Sequence, residues 1–375
     1  MKIKLPFYLK FVVILIGIML LVVVMRETKA ILIPLLISGV LAIMISPLTG
    51  FLQRIKVPKV LAVLLSVITL IGIISGLVYF FYNQILGFAG DVHLLEKRIT
   101  HYLEIINQFV EANFEGAVPV SIESIQQNLF QYIYQNINTL TMGVINTVGT
   151  LAVILIMPIY VFLFLYFRNF LVAFALMLFD PIYKPKVQNA IFKIKQVVHN
   201  YITGMFIVIC VLFVLNSIAL VSLGIGHAFL FAGIAAMFNL IPFLGPFIGA
   251  TLPILYAFLT KDTLLYPIGV FSAFYVIQIL ENNLFTPRIV GSKVSMNPLL
   301  TILALLMGNF IWGLAGMVLF IPGMAILKVI FDEMEGMEAY VFLLGKTKEP
   351  DEAGAKGNRK SLLDRFKQWK NSSKK

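Results

Sequence analysis

Apolar residues in this chain come in long runs rather than at the two-residue or 3.6-residue spacing of a half-buried strand or helix. A helix crosses a bilayer with about 20 mostly apolar residues at about 1.5 Å rise each. Five runs meet that length: Phe7 to Met25, Ala30 to Thr49, Lys59 to Tyr82, Gly143 to Phe167 and Tyr201 to Leu223. A sixth extends from Leu264 to Leu280. Lys2 and Lys4 precede the first run as they would a signal peptide. No small-residue cleavage pattern follows it, however, and the second run starts almost at once, so the first reads as a retained crossing.

Two further apolar stretches are interrupted. The first, Ala228 to Thr260, is broken by Asn239, Pro242, Gly245 and Pro246, and the second, Asn297 to Phe331, by Gly308, Asn309 and Gly313. Apolar runs of about 10 to 14 residues are more often re-entrant than spanning. Proline lacks the N–H donor and glycine relaxes the helix, so backbone groups at both breaks lose their helical partners. Such groups are tolerated at membrane depth only where they are buried in protein or face a wet cavity. Half-helix ends there offer partial charges to a polar or ionic solute. The expected fold is an all-α multi-pass membrane protein with about six full transmembrane helices and two re-entrant helical hairpins. Eight kinked full crossings are the alternative.

The polar segments complete the layout. From Ile85 to Phe114, apolar residues recur at helical spacing with charges opposite, which predicts an amphipathic helix outside the bilayer. A second begins near Pro119 and Ser121 and runs through Ile122, Ile125, Leu129, Tyr132 and Ile133. Asp180-Pro181 and Lys184-Pro185 break the chain before a short basic amphipathic helix, Val187 to Asn200, expected along the cytoplasmic surface. The chain therefore divides into N-terminal transmembrane helices (1–82), an extracytoplasmic amphipathic segment (83–142), a transmembrane helix with a cytoplasmic linker (143–200), a transport core with both hairpins (201–345) and a basic, mostly disordered tail (346–375). Within the tail, Leu362, Phe366 and Trp369 share one face among basic residues, a pattern suited to anionic lipid.

Composition agrees: 60% of residues are hydrophobic and 13% charged, more apolar surface than a soluble core can hide. Cytoplasmic loops carry the excess of Lys and Arg. Lys2, Lys4 and Lys10, then Arg54, Lys56 and Lys59, then Arg168, Lys184, Lys186, Lys193 and Lys195 mark one side, while 83–142 carries Asp91, Glu96, Glu104, Glu111, Glu115 and Glu123. Both termini are thus expected in the cytoplasm. The net charge of +11 reads as retention and headgroup charge, and no nucleic-acid partner is expected. Expected partners are the lipid bilayer, a small solute or cation, and further copies of the chain in a homo-oligomer. Cys210 stands alone, which leaves no intrachain disulfide and no cysteine metal site.

Between Tyr201 and Phe331 the carboxylates are Asp262, at a turn beside Lys261, and Glu281, at the end of an apolar run. Gln278, Glu281 and Asn282 fall on one helical face, and Asn283 follows. An acid at membrane depth is unfavourable by roughly 3 kcal/mol on insertion scales and marks a pathway or a proton carrier. The plainer reading places Glu281 at the cytoplasmic interface, paired with Arg288. Pro287 is expected to stop this helix, and Arg288 either balances Glu281 or meets an anionic solute.

The run Asn239-Leu-Ile-Pro-Phe-Leu-Gly-Pro-Phe-Ile-Gly249, then Gln278-Ile-Leu-Glu-Asn-Asn-Leu-Phe-Thr-Pro-Arg-Ile-Val-Gly291, then Asn297-Pro-Leu-Leu, Gly308, Trp312-Gly313, Gly316-Met317 and Pro322 resembles the signature of the autoinducer-2 exporter family. The resemblance covers nearly the whole chain and implies a multi-pass bacterial inner-membrane protein. Members of that family are linked to autoinducer-2 export and others to sodium/proton antiport. At Tyr201-Ile-Thr-Gly204-Met205 this chain has Met205 where Gln is common in the family. The expected function is secondary transport, exporting a small polar molecule such as autoinducer-2 by alternating access. A sodium or lithium/proton antiporter is the alternative, followed by a non-transporting scaffold. No GxxxxGK[ST], HExxH or GxSxG motif occurs, and His93, His101, His199 and His227 are scattered, so neither ATP, a cofactor, a metal nor enzymatic catalysis is expected.

Overall fold

The computed structural model describes residues 6–113, 148–242, 244–290 and 296–345. Its helices are α1 (Phe7–Glu27), α2 (Lys29–Arg54), α3 (Lys59–Asn113), α4 (Val148–Tyr166), α5 (Arg168–Met177), α6 (Lys184–Ser222), α7 (Ala228–Phe238), α8 (Gly245–Thr260), α9 (Leu265–Leu280), α10 (Thr286–Ile289), α11 (Pro298–Asp332) and α12 (Glu338–Leu344). A π-helical turn, Glu281–Phe285, joins α9 to α10. Among the described residues, six helical stretches are long and apolar enough to cross a membrane, one of them Pro298–Asp332, which folds back on itself at Gly313, and α4 with α5 forms a further candidate bent by 65°. The fold is all-α and multi-pass. Side chains such as Ile14, Ile68, Ile218 and Phe271 stand exposed on these helices, a surface that only lipid suits.

Two stretches expected as separate elements are continuous with their neighbours. The amphipathic helix after the third span is the far half of α3, which runs 55 residues without a break. No proline lies between Lys59 and Asn113, and a change from apolar to amphipathic sequence gives a helix no reason to stop. Likewise Val187 to Asn200 is not a separate surface helix but the first part of the 39-residue α6. Pro185 lies in its first turn, where the missing N–H has no helical partner to lose. The element that turns aside is α5, a helix without buried residues. The second outer amphipathic helix and the tail lie outside the described residues.

Three apolar clusters hold the bundle. Ala42, Ile45, Val63, Val67, Leu70, Val161 and Leu165 join α2, α3 and α4. In that layer Thr49 donates to Ser66 Oγ at 2.8 Å, and Ser66 donates to the carbonyl of Ala62 at 2.8 Å. Leu220, Phe231, Ala232, Ala235, Tyr256, Val270 and Phe274 join α6 to α7, α8 and α9. Tyr201, Val208, Leu212, Ala236, Val290, Leu305 and Ile321 join α6 to α7, the end of α10 and α11. Helix α6 is thus shared by the last two clusters. Helix α1 has no buried residue among those described.

Candidate functional site

Helices α7 and α8 form the first hairpin. At 11 and 16 residues they are about 16 and 24 Å long, short of a hydrocarbon layer of about 30 Å. The chain reverses between Asn239 and Gly245, where the N–H of Gly245 bonds to the carbonyl of Ile241 at 2.9 Å. Only glycine fits there, because a Cβ on Gly245 would lie 1.9 Å from the carbonyl oxygen of Phe238. One turn further, a Cβ on Gly249 would lie 2.7 Å from Ala235 Cα, so the two arms touch through small residues. Asn239 is buried at the tip, Pro242 is half-buried, and Pro246 sits in the first turn of α8.

The second hairpin is the segment Pro298–Asp332. It is helical on both sides of Gly313, whose φ of 61° and ψ of −141° leave the helical region. The chain folds back at that residue, since Gly308 and Gly316 meet backbone to backbone. A Cβ on Gly316 would stand 1.9 Å from the Gly308 carbonyl oxygen, whereas eight residues of straight helix would hold the pair about 12 Å apart. Gly308 is therefore a packing residue in an arm, and Gly313 is the reversal. The arms, 298–312 and 314–332, are about 22 and 28 Å long, so the first falls short of the hydrocarbon layer as α8 does and the second nearly matches it. At the tip the Trp312 indole N–H donates to the carbonyl of Met25 at 2.7 Å, and the Arg26 guanidinium lies 5.1 Å from the Phe310 ring. The tip thus reaches the α1–α2 turn, with Asn309 exposed beside it.

The hairpins enter from opposite ends of the bundle. At the base of the first, His227 Nε2 meets Asp91 Oδ2 at 2.7 Å with Phe88 and Tyr256 edge-on to its ring, and Arg98 pairs with Asp262 at 3.2 Å. At the base of the second, Lys193 and Asn189 both reach Glu333 Oε1, at 2.6 and 2.8 Å, and Lys186 reaches Glu335 at 2.6 Å. Backbone bonding of Asn297 and Met296 to the end of α12 closes that base.

Glu281 lies where α9 loosens into the π-turn, and it is 6% exposed. Gln278 Nε2 donates to its Oε2 at 2.6 Å and also reaches Asn282 Oδ1 at 3.3 Å, while the Thr286 hydroxyl donates to Oε1. Among the described residues no ion pair joins it to Arg288, which is exposed along with Asn282, Asn283 and Pro287. The Asn283 amide turns back to the carbonyl of Ile279 at 2.8 Å. Pro287 does not end the helix as expected. The π-turn widens the coil just before it, and Pro287 falls in the first turn of α10, where a missing N–H is harmless. Beyond it, Val290 packs so closely on α6 that a Cβ on Gly204 would lie 2.9 Å from Val290 Cα. Ile277 and Ile289, on either side of Glu281 in sequence, pack against the cluster that holds Ala236 of the first hairpin and Leu305 and Ile321 of the second.

The structure therefore brings Gln278, Glu281 and Asn282 together, and Ile277 and Ile289 beside them pack on the apolar cluster that α6 shares with both hairpins. Asn283, Pro287, Arg288 and Asn309 stand on exposed surface. Sequence reasoning missed Thr203, Asn216 and Ser217 of α6, whose buried side-chain oxygens have no partner among the described residues. The signal was an Asn-Ser pair inside an otherwise apolar span. No group of three or more His, Cys, Asp and Glu among the described residues is placed to hold a metal ion.

Membrane-length apolar helices, two interrupted hairpins and a buried acid are the features of a multi-pass membrane transport protein. The sequence model of the AI-2E family transporters matches residues 9–336, and the chain belongs to that family. It is 24% identical over 316 residues to the Bacillus subtilis protein named "Putative transport protein YueF", covering 80% of this chain and 82% of that one. It is 26% identical over 335 residues to a Borreliella burgdorferi protein named "Putative transport protein" (85% and 86% covered). To "AI-2 transport protein TqsA" of Escherichia coli it is 23% identical over 341 residues (89% and 95% covered).

Proposed function

We propose that this chain is a secondary transporter that exports a small polar molecule by alternating access, with autoinducer-2 as the first solute to test. The observation that carries this reading is Glu281, a carboxylate 6% exposed in a π-turn whose neighbours Ile277 and Ile289 pack on an apolar cluster that α6 shares with both hairpins. A polar group held there at the expense of local helix regularity has its natural use in solute passage. The name of TqsA supports autoinducer-2 as the cargo. The side rich in Lys and Arg supports a bacterial inner membrane with both termini cytoplasmic. Exposed Leu86, Ile105 and Phe109 on the outer part of α3 support assembly into a homo-oligomer.

A second reading, cation/proton antiport, is favoured by the same carboxylate, because among the described residues its oxygens are held by the neutral side chains of Gln278 and Thr286 and not by a basic residue. One set of proteoliposomes tests both. Autoinducer-2 flux that is lost or slowed at least tenfold in Glu281→Gln supports export through this site. Sodium- or lithium-driven proton movement that disappears in the same variant supports antiport. If wild-type vesicles show neither activity with any imposed gradient, the transporter reading of this site is wrong.

A further inference from the structure

We infer that Asn216 and Ser217 form a second polar station on the solute path, one that takes an O–H donor from water or from a hydroxyl of the translocated molecule. The inference rests on the transporter reading but can be tested without measuring flux. Both residues are 5% exposed, and Asn216 Oδ1 and Ser217 Oγ have no partner among the described residues.

A hydroxyl on a buried helix normally resolves this locally by donating to the carbonyl four residues back. Ser66 does so toward Ala62, Thr251 toward Phe247 and Thr260 toward Tyr256. Ser217 makes no such bond, so its hydroxyl stays available. Asn216 Oδ1 can only accept and the Ser217 hydroxyl can both accept and donate, so the pair suits a hydroxyl or a water, which is donor and acceptor at once.

Their location suits a path. Asn216 is four residues from both Leu212 and Leu220, hence one turn from each on the same side of α6. Leu212 packs with Ala236, Leu305 and Ile321, and Leu220 with Phe231, Ala232 and Ala235. Asn216 therefore falls at the seam of the two clusters, on the side of α6 that meets the first arm of the first hairpin and both arms of the second. It lies about 22 Å along the helix from Tyr201. Gly204, which packs on Val290 just past the Glu281 turn, is near the other end of that interval. The two polar sites are thus separated along the axis of α6.

The test uses the full chain in vesicles with Cys210→Ser as background, because Cys210 is exposed. Ser217→Cys and Ile218→Cys are each exposed to 2-aminoethyl methanethiosulfonate from the aqueous phase. Ile218 is 61% exposed to the surroundings of the bundle and serves as the lipid-facing control. A wet station predicts that Ser217→Cys reacts at least tenfold faster than Ile218→Cys. Equal or slower reaction overturns the proposal and leaves the two oxygens as packing orphans. If Ser217→Cys does not fold, Asn216→Cys replaces it under the same criterion. Saturating autoinducer-2 then separates the donors: slowing of threefold or more assigns the station to the solute's hydroxyl, and an unchanged rate assigns it to water. Fast reaction in a protein that moves no solute would keep the station and refute the transporter reading.

Discussion

The two hairpins reach the same end by different means. In the first, the reversal is spread over Asn239 to Gly245, its described residues keep negative φ, and the arms touch through Ala235 and Gly249. In the second it is concentrated in Gly313, and the arms touch through Gly308 and Gly316. A loop distributes strain over several residues, whereas a one-residue reversal depends on one backbone geometry that only glycine adopts readily. The second hairpin should therefore be less tolerant of substitution and better defined in shape.

The largest effect is expected from Gly316→Leu, which drives a branched side chain into the Gly308 carbonyl. We expect loss of the monodisperse detergent-solubilised protein in size exclusion, and Gly245→Leu should do the same in the first hairpin. If Gly245→Ala is accepted while Gly316→Ala is not, the first tip is adaptable and the contrast sharpens. Next, Gly313→Ala should cost about 1–3 kcal/mol, the range for a residue held in a glycine-only region. A thermal midpoint unchanged by that substitution, while Pro242→Ala lowers it, would reverse the comparison.

The bases of the hairpins should differ less. Asp91→Asn removes the charge from the contact with His227, a pair whose side chains are 42% and 17% exposed, so the loss is about 0–1 kcal/mol after solvent screening. Lys193→Ala removes a pair whose side chains are 40% and 16% exposed, worth about 0–1 kcal/mol after solvent screening. Thermal melts from low to high salt should show both contributions fading to a similar extent. The smallest effect belongs to Lys186 and Glu335. Hydrogen bonding to Lys186 holds the Glu335 carboxyl below the usual carboxylate range. A lowered acid stabilises the fold above its unfolded value, and that contribution is lost as pH falls through the lowered one. Lys186→Ala should therefore change a pH-resolved melting curve only above the acid limb, and only slightly.

Much of this architecture was readable from the chain. Runs of Leu, Ile and Val located the spans, and Pro242, Gly245, Pro246 and Gly313 located both reversals, because these residues remove donors or free φ. Gln278, Glu281 and Asn282 were placed on one face by spacing alone. What escaped was continuity and compensation. Nothing at residue 83 or 200 stops a helix, so the change in composition there suggested boundaries where α3 and α6 have none. The bend between α4 and α5 falls at Phe167 and Arg168, where no glycine or proline announces it. The π-turn answers Pro287 upstream of the proline itself, beyond the reach of a regular 3.6-residue pattern. Asn216 and Ser217 were hidden by averaging, since two polar residues barely change the hydropathy of a span.

The chain has two tryptophans, Trp312 and Trp369. Replacing the second with Phe leaves one tryptophan, its ring nitrogen bonded to the backbone of α1 at the apex of the second hairpin. Withdrawal of that apex would free the indole into a medium of different polarity and shift its emission. The protein thus carries its own optical gauge, readable in real time without attaching a dye.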